Sequence, residues 1–160
     1  MHCFSDASLV GYGAAYYLRF VDHKGEVEVS LVMGKSRVSP TKSTTIPRLE
    51  LTAAAVCAKI AAVIIKELKL GEIETFYWVD SKIVLGYIFN RTRRYRIFVA
   101  NKVQTIEDLT GGKNYKYVPT KENPADYTSR GISMKEKDKV FNWLRGPGFL
   151  RSSEDTWRTK

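Results

Sequence analysis

Before residue 34 the apolar side chains of this sequence come in strand-like runs, alternating loosely with polar ones over Met1 to Ser8 and regularly over Glu26 to Leu31. From Pro47 onward they recur at helical spacing. A period of two belongs to a half-buried strand and a period of 3.6 to an amphipathic helix. One chain with both patterns must build a sheet and cover it with helices. Met1 to Ser8 alternates loosely, Tyr12 to Val21 is rich in aromatic and aliphatic residues, and Glu26 to Met33 runs Glu-Val-Glu-Val-Ser-Leu. Gly11 and Gly13 punctuate the first junction, and Asp22-His23-Lys24-Gly25 the second. The pattern predicts three antiparallel strands joined by tight turns. Gly34 to Thr45, with Pro40, reads as a polar linker.

Pro47 suits a first helical turn, with Thr44 or Thr45 as its cap. That helix is expected to run to about Lys69, with Gly71 as the stop signal. Phe76-Tyr77-Trp78-Val79 is a continuous apolar run, the composition of a strand buried on both faces. Ser81 to Phe89 and Ile97 to Leu109 return to helical spacing, the second stopped by Gly111-Gly112. Tyr115 to Val118 reads as a short strand, and Ala125 to Arg130 as the start of a last helix. The order β-β-β-α-β-α-α-β-α predicts a mixed α/β (α+β) architecture, a sheet flanked by helices. Active sites in such sheets gather at the ends of central strands.

At 160 residues and 44% hydrophobic, the chain has the length of about one domain and can bury a core without staples. No stretch reaches the roughly 18 uncharged apolar residues of a membrane span. The longest apolar region, Leu49 to Leu70, is interrupted by Glu50, Lys59, Lys66 and Glu67. Nothing at the start reads as a secretory signal. The abrupt opening on a strand is that of a piece of a longer polypeptide or of a short open reading frame. Cys3 and Cys57 match no zinc spacing and make no disulfide framework, so a reducing compartment is expected. The 26 basic residues outnumber 17 acidic ones, for a net charge of +9, which points to nucleic acid as partner.

Against this basic background, four acids occupy unusual places. Thr52, Lys59 and Lys66, spaced by seven, form the solvent stripe of the helix after Pro47. At about 100° per residue Glu50 lies roughly 160–180° from that stripe, on the side that packs against the sheet. An acid there needs a partner, a cation or a raised pKa, although one near a helix N-terminus also gains from the dipole. Asp80 ends an apolar run immediately before a helix, a common N-cap position. Asp6 lies late in the first strand, before a glycine turn that also suits an Asx-turn. Asp126 lies at a helix start, where it can cap or meet the dipole. Each has an ordinary explanation alone, but all four stand at element ends or on an inner face. Carboxylates are the hard ligands that magnesium and manganese prefer. Two such ions about 3.5–4 Å apart can activate a water and stabilise the leaving oxygen of a phosphodiester. A basic protein with such a cluster is a candidate nuclease.

The motifs around these acids are Phe4-Ser5-Asp6-Ala7-Ser8, Tyr12-Gly13-Ala14-Ala15, Ile46-Pro47-Arg48-Leu49-Glu50-Leu51 and Trp78-Val79-Asp80-Ser81-Lys82. Phe98-Val99-Ala100-Asn101 and Asn123-Pro124-Ala125-Asp126, running on to Ser129-Arg130-Gly131, follow in order. Together they resemble the ribonuclease H domain of retroelement polyproteins, and most of all the BEL/Pao class of long-terminal-repeat retrotransposons. The resemblance covers about Phe4 to Gly131. It implies a ribonuclease H-like domain over 1–131, with a five-stranded mixed sheet whose first three strands are antiparallel. Residues 132–160 would be a C-terminal extension towards the next polyprotein segment, with Trp143 and Gly146-Pro147-Gly148 serving packing and linkage. The implied reaction is hydrolysis of the RNA strand of an RNA/DNA hybrid, leaving 3′-hydroxyl and 5′-phosphate ends. The implied cofactors are two Mg2+ ions, with Mn2+ as substitute, held by Asp6, Glu50, Asp80 and Asp126. By the same analogy Asp6 and Asp80 bridge the ions, Glu50 serves the leaving-group side and a ribose 2′-hydroxyl, and Asp126 serves the water side. A reverse transcriptase domain in the parent polyprotein and a cytoplasmic, intracellular location in retrotransposon particles are implied as well.

The sequence departs from cellular ribonucleases H at two places. Their loop before the last helix usually carries a histidine. Here it is Pro119-Thr120-Lys121-Glu122-Asn123-Pro124, and the only histidines are His2 and His23. Lys121 and Glu122 are the candidates to stand in. The amide pair that precedes the helix glutamate in the cellular enzymes is replaced by Ile46 and Pro47, which leaves Thr44, Thr45 and Arg48 as candidate phosphate contacts. Ser8, Ser81, Lys121 and Asn123 flank the acids and are further candidates. Arg91, Arg93, Arg94 and Arg96 form a basic stretch with Lys102 nearby and no acid among them, suited to sequence-independent phosphate binding. Tyr95 could pack on sugar or base. Two other functions compete: a nucleic-acid-binding remnant that does not cut, and an integrase-like nuclease of the same superfamily.

Overall fold

The computed structural model describes residues 1–42 and 44–157. Five strands, β1 (His2–Ala7), β2 (Gly11–Val21), β3 (Val27–Val38), β4 (Phe76–Val79) and β5 (Tyr115–Tyr117), form one sheet in the order β3-β2-β1-β4-β5. The first three are antiparallel neighbours, while β4 runs parallel to both β1 and β5. The helices are α1 (Ile46–Glu67), α2 (Lys82–Phe89), α3 (Ile97–Thr110), α4 (Ala125–Arg130) and α5 (Lys137–Arg145). This is the expected mixed sheet flanked by helices.

Successive residues of the central strands point to opposite faces, as the pleat requires. Cys3, Tyr16 and Tyr77 face α1 and meet Leu51, Ala54, Ala58 and Ala61, with Ile106 of α3 beside them. Phe4, Tyr17 and Trp78 face the other way, onto Val118, Ala125, Leu150 and Trp157. The small residues of α1 let that helix lie close to the sheet. Among the described residues no helix is long and apolar enough to cross a membrane.

Three expectations need adjustment. β3 continues to Val38 instead of stopping at Met33, so the first part of the expected linker is strand. Its partner decides this: β2 pairs along its whole length, from Val21↔Val27 to Gly11↔Val38. An edge strand tolerates the polar Lys35-Ser36-Arg37 that broke the alternation. Thr45 is the N-cap residue of α1, but its side chain makes no cap hydrogen bond. α1 itself ends at Glu67, and Lys69 follows in the left-handed region at φ 52°.

Beyond Gly131 the chain returns to the sheet. Arg19 Nε donates to Leu150 O at 2.6 Å and its Nη2 to Ser152 O at 3.1 Å, while the guanidinium lies 5.0 Å from the Trp157 ring centre. Leu150 and Trp157 are buried against Phe4 and Trp78. A Cβ at Gly34 would stand 2.5 Å from Trp143 Cζ2, so the glycine in β3 makes room for that indole.

Candidate active site

The parallel register of β1 and β4 sets the site. Phe4 lies opposite Trp78 and Ser5 opposite Val79, so the next residues, Asp6 and Asp80, leave the ends of adjacent strands side by side. Alternation sends both towards the face that α4 covers. Glu50 comes from α1 in the other layer, and Asp126 from α4. The four carboxylates therefore reach round one sheet end from both sides. They line a single open cavity of about 530 Å3, together with Ser8, Leu9, Val10, Ile46, Thr120 and Arg130.

The ordinary explanations for the acids fail in three cases. Asp6 is in the strand, not in a turn, is 6% exposed, and accepts a hydrogen bond from Ser129 Oγ at 2.7 Å. Asp80 does not cap α2. Ser81 does, with its Oγ accepting from Val84 N at 3.3 Å, which leaves the Asp80 carboxylate to the cavity. Glu50 lies beyond the first turn of α1, which contains no acid. Asp126 is in the first turn of α4, and its Oδ1 accepts from Arg130 Nε at 2.8 Å.

Electrostatics register the crowding. Burial, then the neighbouring charge of Asp80, pushes the Asp6 carboxyl up to about 7, against the opposing pull of the Ser129 hydroxyl. Burial also raises Glu50, with Asp80 adding to it and the Ser81 hydroxyl opposing it. Asp80 is raised by burial too, while the Asn123 and Thr120 side chains pull it back. Like charges converging in a half-dry cavity raise the cost of ionisation, and a bound cation relieves that cost. The donor set, four carboxylates on four elements, fits hard divalent ions. Among the described residues no three acidic, histidine or cysteine side chains are drawn together tightly enough to hold one ion. The carboxylates are instead spread round the cavity wall.

Two glycines let α4 bring its acid in. A Cβ on Gly13 would stand 2.7 Å from Thr128 Cβ and 2.8 Å from Thr128 C. One on Gly11 would stand 3.3 Å from Ser129 O and 2.7 Å from Arg37 O. Ser8 Oγ donates to Ser129 O at 3.1 Å, and Asn123 Nδ2 donates to Ser5 O at 3.0 Å, which ties α4 and the loop before it to β1.

The other candidates are placed unevenly. Ser8 lines the cavity, while Ser81 and Asn123 stand beside its acids, but all three are buried and committed to holding the fold. Thr44 and Thr45 precede α1, and Arg48 lies over the Phe98 ring at 5.2 Å. Lys121 is exposed at a separate, smaller cavity. Arg91, Arg93 and Arg94 are not at the carboxylates: they line a different cavity of about 480 Å3 with Tyr95 and Glu107. Arg91 is tied down there, to Gly111 O at 2.7 Å and Glu107 at 3.3 Å. Arg96 occupies the N-cap position of α3, with no side-chain cap hydrogen bond. Sequence reasoning missed the roles of Thr120, Ser129 and Arg130. The last two stood in the Ser129-Arg130-Gly131 motif, whose place beside Asp126 was the available signal.

Solved structures share this fold. The N-terminal RNase H domain of a Mycobacterium tuberculosis protein superposes with a TM-score of 0.57 at 18% identity, over 79% of this chain and 93% of that one. RNase H1 from the archaeon Halobacterium salinarum gives 0.55 at 18% identity, over 79% and 92%. LC11-RNase H1, solved in complex with an RNA/DNA hybrid, gives 0.54 at 15% identity, over 88% and 96%. These likenesses establish the fold. No curated protein matches the sequence. The family model described as "Pao retrotransposon-like RNaseH-like domain" matches residues 1–81. The chain belongs to that family. Within this Pao RNase H-like domain the matched span holds Asp6, Glu50 and Asp80. Asp126 lies outside the span and joins them through the fold.

Proposed function

We propose that this Pao-type domain is a metal-dependent endoribonuclease that hydrolyses the RNA strand of RNA/DNA hybrids during retrotransposon reverse transcription. One observation carries the reading: four acids from β1, α1, the end of β4 and α4 line one open cavity. Asp6, Glu50, Asp80 and Asp126 would hold two Mg2+ ions, with Mn2+ as substitute. When bound, such ions supply an activated water and stabilise charge on the leaving oxygen. The chain's own part is to keep the carboxylates apart and oriented until cations arrive. Ser129 fixes Asp6, Ser81 leaves Asp80 free by capping α2, and Asp6, with its raised pKa, holds a proton that it would give up on taking part in holding a cation. Cleavage by this route leaves 3′-hydroxyl and 5′-phosphate ends. The net charge of +9 supports a polyanionic substrate. Family membership supports a reverse transcriptase domain as the working neighbour, in retrotransposon particles.

The test is cleavage of a labelled RNA/DNA hybrid in Mg2+, in Mn2+ and in EDTA. The expected result is metal-dependent cutting of the RNA strand, reduced at least about 100-fold in Asp80→Asn with the fold intact. Full activity in that variant overturns the assignment. Hybrid binding without cleavage in either metal identifies a binding module, and equal cutting of duplex DNA an integrase-like enzyme.

A further inference from the structure

The carboxylate cavity contains a cation that the proposed chemistry has not used. Arg130 stands in the last turn of α4, and Gly131 ends the helix directly after it at φ 84°. It is the only basic side chain among the described residues lining the cavity. Its side chain is 64% exposed, and its Nε donates to Asp126 Oδ1 at 2.8 Å. Among the described residues the two terminal nitrogens have no hydrogen-bonding acceptor. Arg19, Arg91 and Arg151 differ, since each gives a guanidinium N–H to a backbone carbonyl and helps hold the fold.

A guanidinium has five N–H donors, and its planar fork matches a phosphate. As a helix ion pair at this exposure, the contact with Asp126 adds little to stability. Its position has more consequence. Four carboxylates repel an incoming polyanion, and a cation at the rim offsets part of that repulsion. We infer that Arg130 is a substrate-contacting residue: its guanidinium neutralises Asp126 in the free protein and takes a backbone phosphate of the nucleic acid laid across the cavity. This rests on the nuclease reading of the site. Once the Asp126 carboxylate turns to a cation, the guanidinium loses its partner and is free for the phosphate.

The test measures binding without turnover. Affinity of the full chain for an RNA/DNA hybrid is followed against salt concentration in EDTA, in the native and Asp126→Asn backgrounds, each with Arg130, Arg130→Gln or Arg130→Lys. In the Asp126→Asn background, Arg130→Gln should weaken low-salt binding about tenfold. It should also reduce the slope of log affinity against log salt by about 0.7–0.9, the loss of one phosphate contact. Arg130→Lys should keep the slope, and the glutamine effect should be smaller where Asp126 still holds the guanidinium. An unchanged slope and affinity for Arg130→Gln in both backgrounds overturns the proposal, and thermal melts of each variant show that the fold is kept. Because no cleavage is read, failure here is distinct from failure of the nuclease reading, which the metal-dependent cleavage assay reports.

Discussion

Asp6 and His2 sit four positions apart on β1, and burial moves them in opposite senses. His2 is stacked on Phe76 with ring centres 5.1 Å apart, and its Nδ1 accepts from Trp78 Nε1 at 3.1 Å. Burial, then the N-terminal amine and Arg19, pushes its pKa down to about 3 from 6.5. The unfolded chain takes up that proton first, so the His2 contribution is lost as pH falls from 6.5 towards 3. Asp6 is raised from 3.8 to about 7. There the native state keeps the proton longer, so its contribution is present below 3.8 and is lost as pH rises to about 7. The two windows overlap, and a variant comparison separates them. In EDTA, Asp6→Asn should gain thermal stability relative to the native chain as pH rises from about 4 to 7, then hold a constant gap. Mg2+ should narrow that gap by stabilising the native protein above pH 7. A difference between the two proteins that does not change with pH in EDTA would contradict the buried, crowded Asp6 described here.

α4 is too short to hold its place by its own hydrogen bonds, and its packing against β2 positions Asp126. That packing depends on Gly13, because any Cβ there would collide with Thr128. Gly13→Ala should push α4 outward at a cost of about 1–3 kcal/mol. Hybrid cleavage should fall more than stability does, because the same shift breaks the Ser129–Asp6 hydrogen bond and retracts Asp126. Gly86→Ala is the control. Nothing lies within 4 Å of a Cβ there, and α2 should gain stability from a better helix former. If melts and cleavage respond alike to the two substitutions, close approach of α4 to β2 is not what builds the site.

Across the whole molecule, the face of the sheet that carries Phe4, Tyr17 and Trp78 is closed by the segment after Gly131. Leu150 is fully buried and Trp157 is 3% exposed. Leu150→Ala should cost about 2–5 kcal/mol, and each kilocalorie should lower the Tm by about 2–4 °C in a chain of this length. A chain cut after Gly131 keeps all four acids but uncovers the Phe4–Trp78 face, and should melt far earlier or without cooperativity in a calorimeter. A native-like melt of the truncated chain would show that the segment only decorates the domain. Among the described residues none after Gly131 lines the carboxylate cavity, so hybrid cleavage by the Leu150→Ala protein below its Tm should match that of the native chain.

Much of this was legible in local patterns. Alternation over Glu26–Leu31, the apolar run at Phe76–Val79 and the glycines that end helices determined which elements form and in what order, because periodicity and backbone stops act over a few residues. Helical phase alone put Glu50 on the inner face of α1, and position alone marked Asp6, Asp80 and Asp126. The tertiary structure decided what depends on partners distant in sequence. β2 extends β3 to Val38 despite its polar residues, and the choice of Ser81 as cap frees Asp80. The Ser129–Asp6 bond joins residues 123 positions apart. The basic loop stands away from the carboxylates, and Leu150 and Trp157 complete a core whose other half lies on the strands. Such contacts follow from the strand register and from how closely helices approach the sheet. Both are set by burying side chains from the whole chain at once, which no short stretch of sequence encodes.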